Sequence, residues 1–149
     1  MNKKTIRFAF AVNHASHFEP EHFGNANKYL IYEWSDNEFI FIKEEINSFI
    51  SFDDIEISGL SNKGMACINL LEKTEVKVLV SRQFGKNIQM VNRLFIPVIV
   101  NSETPDEVLS ILKKHIRWIE DELTSKTEEY KLFTLKNGIL KTIIKKDNF

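Results

Sequence analysis

The chain has 149 residues, with 20 basic and 21 acidic side chains, four histidines and one cysteine. This length fits a single domain, and 43% hydrophobic residues supply a core, which excludes disorder of the whole chain. A formal charge of -1 argues against a general nucleic-acid binder, and no apolar run reaches the ~20 residues of a membrane span. Arg7 and His14 interrupt the N-terminus too early for a signal-peptide core, and a single Cys67 suits a reducing compartment. We therefore expect a cytoplasmic protein.

The first half of the chain predicts mostly antiparallel strands. An apolar run at residues 6–12 is typical of a buried central strand. Two aromatic and β-branched runs around Ser35-Asp36-Asn37 indicate a hairpin. The predicted elements are a strand at 6–12, a polar loop at 13–27, hairpin strands at 29–34 and 38–43, and a loop at 47–63 that includes a short strand at 55–57.

The second half alternates between helical and strand patterns. The predicted elements are helices at 64–73 and 87–95, strands at 76–80 and 97–100, with Pro97 first in its strand, and one helix from 105 to about 124. Thr104, Pro105 and Glu107 supply the N-cap, the first helical position and the capping box of that last helix. Its apolar stripe runs without interruption through Val108, Leu112, Ile116, Ile119 and Leu123.

Strand–helix alternation implies parallel strands, whereas the first half implies antiparallel ones. We therefore expect an α/β fold in which a mixed five-stranded sheet is flanked by about three helices. After it, residues 130–135 and 139–144 flank Asn137-Gly138 and predict a second hairpin. A lone hairpin is marginal in water, so it should dock on the domain or on a second copy. We assign residues 1–124 to the domain and 125–149 to the hairpin extension.

Three of the four histidines lie in the first loop, at His14, His17 and His22. Imidazoles and neighbouring carboxylates can ligate a transition metal or an iron-containing cluster. Their spacing is not a standard zinc signature, and no second cysteine supports one. The alternative is that these are solvated loop residues, with Phe18 and Phe23 holding the loop on the core.

A second candidate lies in residues 81–87, between a predicted strand and helix. Arg82 and Lys86 are cationic donors, Gly85 permits a tight turn, and a helix N-terminus favours anions. An ordinary strand-to-helix turn is the alternative. If the strands at 6–12 and 76–80 are parallel neighbours, both candidates meet at one sheet edge, where open α/β sheets bind ligands.

A longer pattern consists of Ile6 to Asn13, then Glu21-His22-Phe23-Gly24-Asn25-Ala26, then Tyr29-Leu30-Ile31-Tyr32. Its most specific piece is His22-Phe23-Gly24, followed by a small residue and an aromatic strand. This pattern resembles the dinitrogenase iron–molybdenum cofactor biosynthesis domain, the NifX-like family, over roughly residues 4–123.

The resemblance implies a ribonuclease-H-like fold and a carrier of iron–molybdenum cofactor or its iron–sulfur precursors. It places His22 at the family's histidine and Asn13 at the polar residue that closes the first strand. A cofactor-biosynthesis or acceptor protein would be the partner. Two departures stand out: the family's Gly-x-Gly turn is Ser81-Arg82-Gln83-Phe84-Gly85 here, and its glycine- and histidine-rich loop, at residues 58–64, has no histidine.

Two functional hypotheses follow. The first is a small binding or carrier protein for a metal–sulfur or anionic cofactor, with Asn13, His22, Arg82, Gly85 and Lys86 at the site and His14 and His17 as further metal ligands. The second is a non-catalytic dimeric interaction or regulatory module that keeps the fold and binds no cofactor. We expect no enzyme and no catalytic residue, because two-metal nucleases need carboxylates that the strands at 6–12 and 76–80 lack.

Overall fold

Helices cover both faces of a mixed sheet in the computed structural model, which describes residues 5–49, 56–57, 60–85, 88–125, 128–136 and 138–143. Within these residues the strands are β1 (Ile6–Val12), β2 (Lys28–Ser35), β3 (Glu38–Ile46), β4 (Glu56–Ile57), β5 (Leu60–Ser61), β6 (Val76–Ser81), β7 (Ile96–Ile99), β8 (Leu132–Lys136) and β9 (Ile139–Ile143). The helices are α1 (Asn62–Lys73), α2 (Ile88–Leu94), α3 (Pro105–Lys114) and α4 (Ile116–Ser125).

The sheet has the strand order β3-β2-β1-β6-β7-β8-β9. The β1–β2 and β2–β3 pairs are antiparallel, the β1–β6, β6–β7 and β7–β8 pairs are parallel, and β8–β9 is antiparallel. The short β4 and β5 pair with each other outside this sheet. The predicted α/β class, with one antiparallel and one parallel half, is therefore confirmed.

Local signals account for the first half. β1 spans the predicted residues and lies between β2 and β6. Asp36 and Asn37 both have positive φ, 53° and 64°, which is the backbone of the type I′ turn that joins closely spaced strands. In the predicted loop at 47–63, strand appears at Glu56–Ile57 as expected, and residue 55 lies outside the described residues.

The parallel half differs from the prediction at Pro97, which is the second residue of β7 rather than its first. A proline donates no hydrogen bond to a ladder. β8 pairs with β7 only at Val98 and Ile99, so Pro97 lies before that ladder begins.

The prediction of one long C-terminal helix is wrong, because α3 and α4 are separated at His115. The N–H of His115 is shared between the carbonyls of Ile111 and Leu112, 3.2 Å from each, and its ψ of 23° leaves the helical region. Such shared bonds tighten and end a helix. The predicted start of α3 is confirmed, because Thr104 and Glu107 form a complete capping box.

The C-terminal hairpin docks on its own domain and extends the sheet from five strands to seven. β8 pairs in parallel with β7 through Val98↔Phe133 and Ile99↔Thr134. Phe133, Leu135 and Leu140 are buried there. Burial of each such side chain contributes about 1.5–3 kcal/mol, so the hairpin is part of the core and not a free appendage.

Two cores lie on opposite faces of the sheet. Phe8 and Phe10 of β1 belong to the core that α3 and α4 cover, here the α3–α4 core. Ala9 and Ala11 belong to the α1–α2 core on the other face. Because successive side chains of a strand point to opposite faces, a strand covered on both sides is apolar throughout. The longest helix in the described residues has 12 residues, and none of these helices is long and apolar enough to cross a membrane.

Candidate functional site at the carboxyl edge of the sheet

The carboxyl ends of β1 and β6 lie side by side, because the two strands are parallel. Beyond them, His22 and Gln83 form a parallel β-bridge, and the N–H of Phe23 donates to the carbonyl of Gln83 at 3.0 Å. The Gln83 side-chain amide donates to the carbonyl of Pro20 at 3.0 Å. The predicted meeting of the histidine loop with the β6–α2 turn is therefore confirmed.

Asn13 organises the first part of the loop. Its Oδ1 accepts hydrogen bonds from the N–H groups of Ala15 and His17, at 3.0 and 3.1 Å. Its N–H donates to the carbonyl of His17 at 2.8 Å, and Ser16 takes a positive φ of 64° to complete the turn. In this geometry the carboxamide oxygen of Asn13 shapes the loop.

His22 is half-buried and begins a 3-10 turn at Phe23–Asn25. Its Nδ1 accepts a hydrogen bond from the N–H of Gly24 at 3.2 Å. In the tautomer in which Nδ1 accepts this bond, the neutral ring carries its proton on Nε2. Nε2 lies 3.4 Å from Nδ2 of Asn25, which itself donates to Glu21 at 2.6 Å.

Buried side chains that the sequence analysis did not select hold this turn. The hydroxyl of Tyr29 donates to the carbonyl of Phe23 at 2.8 Å, and Nδ2 of Asn47 donates to the carbonyls of Gly24 and Ala26 at 3.0 and 2.7 Å. Burial raises the pKa of Tyr29 well above 10.0, and interactions with Cys67 raise it further. Asn47 follows an edge strand in sequence, and nothing local distinguishes it from the other loop asparagines.

The structure does not bring the three loop histidines together. His14 and His17 are exposed. Phe18, next to His17, belongs to the α3–α4 core, whereas Phe23, next to His22, belongs to the α1–α2 core. The loop therefore crosses the sheet edge between them. Among the described residues no three His, Cys, Asp or Glu side chains are grouped so that they could hold a metal ion.

Arg82 lies on the His17 side of this edge. The two side chains line a cavity of about 210 Å³ with Phe18 and with Thr104 and Pro105 at the start of α3. A second cavity, of about 500 Å³, continues from His17 along β2 and β3. His17 and Arg82 thus offer an imidazole and a guanidinium to one opening.

Gly85 lies on the His22 side. Its φ is +64°, and a Cβ added there would lie 3.5 Å from Cβ of His22. The left-handed backbone explains the glycine at this turn, since a Cβ at 3.5 Å from His22 would make only ordinary contact. Lys86 lies outside the described residues. α2 begins at Ile88 and has seven residues.

A family model described as dinitrogenase iron–molybdenum cofactor matches residues 4–115. The chain belongs to the dinitrogenase iron–molybdenum cofactor family. The resemblance seen in the sequence is thereby confirmed, and the match ends at His115, where α3 gives way to α4. No curated protein matches the chain.

For a member of the dinitrogenase iron–molybdenum cofactor family, the available donors at this edge are few. The chain has one cysteine, and Cys67 is buried in the α1–α2 core with Sγ 3.5 Å from Oδ1 of Asn47. Its thiol forms no disulfide. Of the three loop histidines His22 alone is half-buried, and it lies where the histidine loop meets the β6–α2 turn.

Proposed function

We propose that this protein is a small cytoplasmic carrier that binds a metal–sulfur cluster of the iron–molybdenum or iron–sulfur type as its cargo. Membership of the dinitrogenase iron–molybdenum cofactor family over residues 4–115 carries the proposal. The cargo would lie at the carboxyl edge of β1 and β6, with His22 as its main ligand. A protein that delivers the cluster and one that accepts it would be the partners; no catalysis, nucleic acid or membrane is involved.

The donor set fits a cluster that brings most of its own ligands. Iron–sulfur clusters that proteins hold permanently are bound by several thiolates. One chain with one buried cysteine does not supply them. An imidazole that binds one metal atom, as histidine does in some iron–sulfur proteins, leaves the rest of the cluster open. Such partial coordination suits a carrier, which must release its cargo.

Ligation by His22 has a specific local consequence. Nδ1 accepts from the N–H of Gly24, so a metal would have to approach Nε2, which lies 3.4 Å from Nδ2 of Asn25. A metal ligand must be deprotonated, so the ring proton would have to leave Nε2. If that proton moves to Nδ1, the N–H of Gly24 loses its acceptor. The 3-10 turn at Phe23–Asn25 would therefore change when cargo binds.

Arg82 would supply positive charge near the proposed cluster site. Thiolate- and sulfide-rich clusters are anionic, and a guanidinium favours anions without competing for the metal. Arg82 is exposed beside His17 at the same edge, and Lys86 follows Gly85 in the sequence. Because exposed charges are screened by salt, their part in binding should weaken as ionic strength rises.

An anaerobic titration tests this function. Wild type, His22→Ala and His115→Ala would be titrated with ferrous iron and with a synthetic iron–sulfur cluster, and bound iron and sulfide measured after desalting. His115 is the matched control, because its half-buried ring lies at the α3–α4 junction and packs at a tilt on Trp118, with ring centroids 4.8 Å apart. We expect His22→Ala to bind the cluster at least about tenfold more weakly, and His115→Ala to bind it like wild type.

The same titration addresses the second function, a dimeric interaction module without cofactor. Two observations favour the module. No three metal-binding side chains are grouped in the described residues, and the turn at 81–85 keeps one glycine where the family's turn is Gly-x-Gly. If wild type binds neither probe, the carrier proposal fails and the module remains. If His22→Ala binds as well as wild type, the carrier stands but the assignment of His22 is wrong.

A further inference from the structure

Exposed apolar side chains of the described residues concentrate on one strand. β3 carries Ile40, Phe41, Ile42 and Ile46, which are 45%, 50%, 36% and 62% exposed. Scattered apolar residues are ordinary on a protein surface, whereas a contiguous group marks an interaction site. This group includes none of the residues assigned to the cargo site, so an interaction through β3 does not depend on the proposed cargo.

β3 is also an edge of the sheet. Its ladder with β2 uses one side of the strand, and no strand within the described ranges pairs with its other side. An edge strand presents a row of unpaired N–H and C=O groups to any extended chain, and natural proteins usually protect such rows with charges or bulges. A nine-residue edge therefore needs an explanation.

Most of this protection lies in the second half of β3, and Glu38 is the one charged residue of the first half. The β2–β3 ladder shifts register so that Ile42 has no partner residue, and residues 43–45 are Lys-Glu-Glu. The run before the shift, residues 39–41, is Phe-Ile-Phe and has no charge. We propose that residues 38–42 of two copies of this chain pair as antiparallel edge strands, so that one sheet continues through a homodimer.

Two-fold symmetry restricts the register of such a pair. Directly opposed residues of an antiparallel ladder point to the same face of the sheet, and side chains alternate between faces along a strand. Two opposed residues of a symmetric pair are therefore an even number of positions apart in the sequence. The residue midway between them then lies opposite its own copy. With Ile40 in that place, Phe39 lies opposite Phe41 of the partner subunit. Phe39 already packs on Trp34, with ring centroids 4.9 Å apart, and Phe41 packs on Tyr32 at 5.5 Å. The dimer would join these two aromatic pairs into one row.

Neighbouring registers are less favourable. With Phe41 opposite its own copy, Glu38 faces Glu44 of the partner subunit, and like charges directly opposed are destabilising. With Phe39 opposite its own copy, Ile40 faces Glu38 of the partner subunit. Within residues 38–42, the Ile40 register is the one of the three that sets both phenylalanines of each copy against phenylalanine and opposes no like charges, while Glu38 faces Ile42 of the partner subunit. This self-complementary aromatic pairing is why a second copy is the occupant we choose.

The interface is small. Five residues from each copy cover much less than the ~800 Å² per partner of a standard stable complex. Dimerisation should therefore depend on concentration. Sedimentation velocity on the full chain, in a series that reaches about 1 mM, should show the mass rising from 17.4 kDa towards twice that value. A mass of 17.4 kDa at every concentration overturns the proposal.

Two matched substitutions locate the interface. Ile40→Lys opposes two ammonium groups on the axis and should weaken dimerisation at least about tenfold. Ile46→Lys, on the same strand beyond the register shift, should leave it unchanged. Both side chains are exposed, so both variants should unfold at nearly the wild-type temperature. A dimer that persists in Ile40→Lys, or that Ile46→Lys weakens equally, contradicts this interface, as does capture of a different protein's strand in place of self-association.

Cross-linking tests the register. Directly opposed residues have Cα atoms about 4.5–5.5 Å apart, within the range that a disulfide spans. Ile40→Cys should form a covalent dimer on mild oxidation at a concentration where Ile46→Cys does not. The native Cys67 is buried and adds no background. Equal cross-linking of the two variants overturns the register.

Discussion

Asn47 offers a sharp test of how the candidate site is held. Its side chain is 3% exposed and bonds at both ends: Nδ2 donates to the carbonyls of Gly24 and Ala26, and Oδ1 accepts from the N–H of Phe49 at 2.9 Å. Asn47→Ala removes all of these bonds and adds none. Gly24 and Ala26 are themselves buried, so water does not readily replace the lost donor.

The magnitude follows from the orphaned groups. A buried acceptor without a partner costs about 1–3 kcal/mol, and two carbonyls lose their donor here. Part of this is offset, because the folded state no longer buries a polar amide. We expect Asn47→Ala to lower the free energy of unfolding by about 3 kcal/mol. For a chain of 149 residues this lowers Tm by about 6–12 °C.

Urea and thermal unfolding measure this effect, with Asn101→Ala as the control. Asn101 is exposed, and its Nδ2 donates a single 3.0 Å bond to the carbonyl of Leu135, so its loss should cost about 1 kcal/mol or less. Equal m-values would show that the variants are compared on the same unfolding transition. If Asn47→Ala is no less stable than Asn101→Ala, the account of how the turn is held is wrong.

Three further predictions concern the backbone, a helix start and a buried phenol. Gly85→Ala and Gly138→Ala should each lower the free energy of unfolding by about 1 kcal/mol, because both glycines have positive φ. An added Cβ makes only ordinary contact at Gly85 and none at Gly138. A loss of several kcal/mol at Gly85 alone would contradict the open geometry there. Thr104→Ala should cost about 1 kcal/mol in urea unfolding by removing the capping box with Glu107, and an unchanged midpoint would contradict the cap. Tyr29 has a pKa raised above 10.0 in the folded state, so the unfolded chain releases that proton first and stability should fall as pH rises through 10. Tyr29→Phe, although less stable at neutral pH, should lose stability less steeply there; an identical slope would refute the assignment.

Elements with local signals were predictable from the sequence. The β2–β3 hairpin follows from an Asx-rich turn between aromatic runs, and the start of α3 follows from Thr104, Pro105 and Glu107. These patterns act within a few residues, so no knowledge of tertiary contacts is needed. The sequence did not decide whether the C-terminal hairpin docks on its own domain or on a second copy, because pairing with β7 depends on residues distant in the sequence.

The break at His115 was not predictable by such means. The apolar stripe continues through it, and neither glycine nor proline marks it. In the structure the break shows as the shared hydrogen bond of the His115 N–H and as the ψ of 23° at that residue. The boundary proposed between residues 124 and 125 also remains a prediction.

Prediction of the candidate site was partial for a related reason. Parallel pairing of β1 and β6 is enough to bring the histidine loop to the β6–α2 turn. The pairing of these strands does not determine the side of the sheet edge on which each side chain of the loop lies. His17 and His22 fall on opposite sides of the sheet edge because Phe18 and Phe23 enter different cores. The assignment of cofactor-binding and metal-ligating roles to these residues remains a prediction.

The central claim is that this chain carries a metal–sulfur cluster. The most direct measurement is the iron, molybdenum and acid-labile sulfide content of the protein purified anaerobically from its own host. We expect iron and sulfide to be bound to wild type and largely lost from His22→Ala purified in the same way. Wild type that holds neither iron nor sulfide above the level of a metal-free control protein would contradict it.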